Sequence, residues 1–151
     1  MKKISKNISY REATRSTTAN RRGIDNTPTA EVLENMMIVA DACFQPLREW
    51  YGKPIRINSF YRSPVLNKAI GGSKTSDHCF GRAIDMDTEE DNGKLFEWCK
   101  ENLIYDQLIW EYGDSENPDW IHISFRLGKN RRQTLRAKRN SKGRTYYEII
   151  E

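Results

Sequence analysis

An α+β domain is what this chain predicts, and three observations predict it: helical spacing of apolar residues over 32–47, alternation in several short segments, and a strand–turn–strand pattern over 106–127. The chain has 151 residues, one domain's worth, with 37% apolar and 30% charged residues. That composition suits a single core with a wet surface. No run approaches the roughly 18 apolar residues that a membrane span needs.

Residues 1–28 are polar, with one turn cluster, GIDNTP, at 23–28. Thr27-Pro28 followed by Thr29 and Glu31 marks a helix start, with Thr27 or Thr29 as the cap. From Val32 the apolar positions Leu33, Met36, Met37, Val39, Ala40, Cys43, Phe44 and Leu47 keep helical spacing. This helix is expected to reach about Trp50 and to stop at Gly52-Lys53-Pro54, with a kink at Pro46. Residues 55–60 alternate like a short strand, and Arg62-Ser63-Pro64 opens a short helix through Ala69. Gly71-Gly72-Ser73 breaks the chain, and 73–82 reads as a loop. Ala83–Asp87 is a strand with Ala83, Asp85 and Asp87 on one face. A helix is expected over 92–101, carrying Leu95, Phe96, Trp98 and Cys99. The strand 106–112 sets Leu108, Trp110 and Tyr112 opposite Gln107, Ile109 and Glu111. A polar turn then leads into 120–127, where Ile121, Ile123 and Phe125 alternate with His122, Ser124 and Arg126, so the two runs form an antiparallel hairpin.

Charge divides the chain unevenly. Nine of its 25 Lys/Arg (126, 129, 131, 132, 136, 138, 139, 142, 144) fall between Arg126 and Arg144, with no acid among them, leaving 16 bases against 21 acids elsewhere. Residues 128–151 are therefore read as a basic C-terminal tail, either solvated or in contact with an anionic polymer through 126–144. No recognised nucleic-acid motif accompanies it. Cys43, Cys79 and Cys99 are odd in number and form no CxxC pair, which argues against a disulfide framework. MKKISKNISY lacks an apolar segment behind its lysines, so no ordinary secretory signal is expected.

Only two histidines occur, His78 and His122. With Asp85 they would make a three-ligand zinc site whose fourth position is open to water. Spacing alone leaves this unsettled: His78 and Asp85 are seven residues apart, not a one-turn helical pair, and a single histidine is more often a packing or surface residue.

The segment Ser76-Asp77-His78-Cys79-Phe80-Gly81-Arg82-Ala83-Ile84-Asp85 matches SxHxxGxAxD, a pattern of the zinc D-Ala-D-Ala carboxypeptidase family. That family includes vancomycin-resistance dipeptidases and phage endolysins that cut wall peptides. Trp120-Ile121-His122-Ile123-Ser124 resembles its second motif, and Ser59 to Asn67 (SFYRSPVLN) resembles its SGYRSPxLN segment. Residues 12–28 are similar to the lead-in of phage and prophage members, and the likeness covers roughly 10–127.

The resemblance implies a small hedgehog/DD-peptidase-like α+β fold, mainly antiparallel, occupying 1–127 with 1–28 as lead-in. It implies Zn2+ bound by His78, Asp85 and His122, and hydrolysis of peptidoglycan stem peptides by metal-activated water. The enzyme would be a D-Ala-D-Ala carboxypeptidase or an L-Ala-D-Glu type endopeptidase. Arg62 would face the substrate carboxylate or the developing oxyanion, and Ser76 would hydrogen-bond substrate. Many members carry an acid three residues before the last histidine, which is Asp119 here; Glu111 is the rival general base. The alternative is a non-catalytic zinc-containing module that binds wall peptide or a phage structural partner. A monomer is expected, made in the cytoplasm and acting at the cell wall after release or within a phage particle.

Overall fold

The computed structural model describes residues 3–151; Met1 and Lys2, part of the lead-in, lie outside the described residues. The chain forms β1 (Lys3–Ser5), β2 (Ile8–Ser9), α1 (Tyr10–Thr14), α2 (Thr17–Arg22), α3 (Ala30–Val39), α4 (Gln45–Tyr51), β3 (Arg56–Ser59), α5 (Pro64–Ala69), β4 (Ala83–Asp87), α6 (Asn92–Asn102), β5 (Gln107–Glu111), β6 (Trp120–Ser124), β7 (Gln133–Arg139) and β8 (Thr145–Ile149). β1 and β2 pair with each other, and the other six strands form one sheet in the order β3-β4-β6-β5-β7-β8. All neighbours in that sheet are antiparallel except β5 and β7, which run parallel. The α+β expectation holds, with one parallel pair making the sheet mixed.

The expected long helix exists, capped by Thr29, whose hydroxyl accepts from the Val32 N–H. It ends at Gly52, whose φ of 74° opens the left-handed conformation that terminates a helix cheaply. Pro46 has no N–H to give the preceding turn, and the chain meets it with a π-helical turn, Ala40–Phe44, between α3 and α4. α3 packs on β4, and α6 packs on β5 and β6. The helix-facing side of the sheet supplies Ile84, Met86, Leu108, Trp110, Ile121 and Ile123 to the core, against Met36, Val39, Phe44, Leu47, Leu95 and Phe96. Each such side chain contributes about 1.5–3 kcal/mol by leaving water.

Residues 133–149, expected as part of a tail, are β7 and β8, hydrogen-bonded onto β5. Their alternation is hard to see because few positions are apolar; arginine stems do the covering instead. Arg136 lies 4.7 Å over the Trp110 ring and Arg139 lies 3.7 Å over the Tyr112 ring. Arg131 clasps the buried Asp106 carboxylate at 2.7 Å, Arg126 bridges Asp106 and Asp77, and Lys138 meets Glu148 at 2.6 Å. Arg132 donates to the carbonyls of Leu103 and Lys100. Several of the basic side chains thus contact the fold itself while remaining partly exposed. No helix among the described residues is long and apolar enough to cross a membrane.

Candidate metal centre

His78 sits on a single 3-10 turn, Asp77–Phe80, that replaces part of the expected loop. The Ser76 hydroxyl caps this turn by accepting from the His78 N–H at 3.2 Å. Gly81 closes it with φ 69°. A Cβ there would fall 2.7 Å from the Val32 carbonyl oxygen and 2.7 Å from Met36 Cγ, so only glycine lets the turn lie against α3 and run on into β4.

Asp85 on β4 and His122 on β6 are register partners, so their side chains rise from the same face of the sheet. His78 Nε2 lies 3.2 Å from one Asp85 carboxylate oxygen, and His122 Nδ1 lies 3.0 Å from the other. One ligand atom from each of the three lies within 4.8 Å of the others. Two donors on one tetrahedral zinc, each ~2.0–2.2 Å from it, stand roughly 3.3 Å apart. The spacing and the two-imidazole, one-carboxylate set therefore fit such an ion.

The Phe60 carbonyl oxygen fixes the proton on one side of the His78 ring: it lies 2.7 Å from Nδ1 and can only accept, so Nδ1–H donates to it and Nε2 is the ring nitrogen aimed at Asp85. Histidine ligands are oriented by this kind of outer bond. Burial pushes the Asp85 carboxyl up, but the facing His78 and His122 rings more than reverse this and hold it well below the usual carboxylate range.

The three ligands open into a cleft of about 490 Å³, lined also by Arg62, Ser76, Glu111, Tyr112, Trp120 and Tyr147. Arg62 donates from Nη2 to the Ser76 hydroxyl at 3.2 Å, and its buried Nε has no hydrogen-bond partner in the protein. Ser76 is thus already engaged as a cap and as a prop for Arg62, on top of its expected role toward substrate.

The two expected bases separate. Glu111 lines the cleft and is buried, and that burial pushes its carboxyl up to about 7. Asp119 is exposed and borders two other hollows of the surface, not this one. Asp119 precedes β6 rather than lying on it, whereas Trp120 and His122 of the strand line the cleft.

Other residues near the ligands have separate partners. Cys79 lies outside the ligand set, and burial pushes its thiol up. Asp77 holds Arg126, and Asp87 accepts from Asn92 at 2.7 Å, so neither serves the ligands. Trp120 lines the cleft, whereas Tyr61 belongs to the core.

Two cleft residues escaped the sequence reading. Tyr112 was expected on the face opposite Glu111, but its φ of 57° breaks the alternation and turns the ring toward the cleft, beside Trp120 at 5.5 Å. A bulky residue in that conformation costs about 1–3 kcal/mol and persists where the surroundings demand it. Tyr147 stands on β8; the β-prone run Thr145-Tyr146-Tyr147-Glu148-Ile149 was its only signal.

No curated protein matches the chain in sequence. The family model described as Peptidase M15 matches residues 6–124, a span that contains β2 through β6, all three ligands, Arg62 and Glu111. On that match, and with the His78–Asp85–His122 geometry that suits a zinc-dependent family, the chain belongs to the peptidase M15 family.

Proposed function

We propose that this protein is a zinc-dependent peptidase that hydrolyses peptide bonds in bacterial peptidoglycan stem peptides, as a carboxypeptidase or an endopeptidase. The observation that carries the proposal is the convergence of His78, Asp85 and His122 on one point in a cleft that also holds a buried acid and an arginine. A zinc ion held by the three would polarise the scissile carbonyl and bring the pKa of a water toward neutrality.

The remaining roles fall to the chain itself. Glu111 takes the proton of the attacking water and returns it to the leaving nitrogen. Burial keeps its carboxyl near neutrality, where a group both accepts and donates well. This reading prefers Glu111 to Asp119, because of those two acids it is Glu111 that lines the cleft. Arg62 stabilises the negative charge that develops on the carbonyl oxygen, or binds the substrate carboxylate, through guanidinium N–H groups left free by Ser76. Ser76 positions Arg62, and the Phe60 carbonyl keeps His78 in its working tautomer.

The test is metal content together with hydrolysis of purified stem peptides, before and after chelation. Activity should disappear with the metal and return with zinc. Undiminished hydrolysis by fully metal-free protein would sink the proposal. Mass spectrometry of digested muropeptides identifies the bond cut.

A further inference from the structure

Strands β7 and β8 lie beyond residue 124, where the family match ends, yet β8 places Tyr147 on the wall of the metal cleft. The register explains how. Trp120 of β6, Glu111 of β5, Ala137 of β7 and Tyr147 of β8 are successive cross-strand partners, so all four stand in one row on the cleft face. Ala137, between Glu111 and Tyr147, carries only a methyl group and is fully buried, which leaves room for the tyrosine ring to lean over it. Glu111 is near enough that its charge, after burial, helps push the Tyr147 phenol up. The ring nevertheless remains about half exposed, at 54%. A large aromatic held half in water over a polar cleft has an unused face.

Resting on the peptidase reading above, we infer that the β7–β8 hairpin is a substrate-recognition element and that the Tyr147 ring packs against the bound peptide at a distance from the bond being cut. The ligand row on β4 and β6 and the Tyr147 backbone on β8 bracket that distance. From β6 to β8 there are three strand spacings, roughly 14 Å, which an extended peptide covers in about four residues. Arg62 follows β3, on the opposite side of the ligands, so the cleft is furnished on both sides of the metal point. A stem of four or five residues spans the whole row from the ligands to β8, whereas a dipeptide held at the ligands spans about half of it. The expected substrate class is therefore an extended oligopeptide stem rather than a free dipeptide.

The experiment is a length series of stem peptides, from two to five residues, assayed with the zinc-loaded full chain, with Tyr147→Ala and with Tyr147→Phe. Because the residue is half exposed, both variants should fold, which circular dichroism and zinc content verify. For the four- and five-residue peptides, Tyr147→Ala should raise KM about tenfold with kcat nearly unchanged. That is the loss of one aromatic contact worth ~1.4 kcal/mol. Tyr147→Phe, which keeps the ring, should stay within about twofold of wild type. For any dipeptide that is cut, the three proteins should be equal. An unchanged KM on long peptides overturns the inference, and so does an equal penalty at every length, since that marks a structural effect. If the wild type neither binds nor cuts any stem peptide, the proposed function and this inference fall together. Wild-type hydrolysis with an indifferent Tyr147→Ala removes this inference alone.

Discussion

The two faces of β4, β5 and β6 are made from alternate residues of the same three strands, and they do opposite work. On the helix side Ile84, Met86, Leu108, Ile121 and Ile123 are fully buried in the core. On the other side Asp85, Glu111 and His122 face a polar cleft. One residue's step along a strand separates an apolar contact from a ligand. The apolar face provides the stability, and the cleft face holds features that cost it: a buried acid pushed toward neutrality and a tyrosine at positive φ. The lesson is that substitutions on the two faces should have opposite signatures, one lowering activity without unfolding, the other unfolding without touching chemistry.

The largest expected effect is on the cleft face. Asp85→Ala should lower hydrolysis by more than about a thousandfold, because several kcal/mol of charge stabilisation leave with the metal. Zinc content by atomic absorption should fall with it. A variant that keeps stoichiometric zinc and full activity would break the comparison at its central point.

Glu111→Gln should cost about a hundred- to ten-thousandfold in kcat while zinc stays bound. It should also stabilise the chelated protein at pH 8. The sign follows from the raised carboxyl: about 7 when folded against an ordinary 4.5, so ionisation in the folded state is unfavourable. The cost is absent below about pH 4, grows between about 4.5 and 7, and is complete above, reaching on the order of 3 kcal/mol. Melting curves at pH 4 and pH 8 check this: wild type and variant should coincide at the lower pH and separate at the higher. Bound zinc, a nearby positive charge, should shrink the difference.

On the core face, Ile121→Ala should cost about 2–5 kcal/mol in stability through the cavity it leaves. Its immediate neighbour His122 points the other way, so kcat of the folded fraction should stay close to wild type. Urea denaturation and single-temperature kinetics separate the two quantities.

The smallest expected effect lies at the edge of both faces, where Arg131 hydrogen-bonds the buried Asp106 and holds its carboxyl below the ordinary 3.8. A depressed folded pKa contributes stability that is present above about pH 4 and is lost as pH falls through the folded value. Asp106→Asn should therefore destabilise by about 1–3 kcal/mol at pH 7, and acid titration should bring the two proteins together.

Much of this molecule was legible from its residues. The helix from Thr29 and the strands at 56–59, 83–87, 107–111 and 120–124 follow from local periodicity, since spacing of side chains along a helix or strand is a local property, and the three prospective ligands follow from the resemblance of two motifs, 76–85 and 120–124. What sequence could not decide was pairing across distance. Whether Glu111 or Asp119 faces the metal point depends on which residue of β5 opposes which residue of β6, and a shift of one residue reverses every side chain. Whether the basic C-terminal stretch is tail or sheet depends on β7 finding the free edge of β5, where arginine stems over Trp110 and Tyr112 take the place of the aliphatic side chains that periodicity looks for. Local order is written in the chain; the register that turns it into a site is set only when the strands meet.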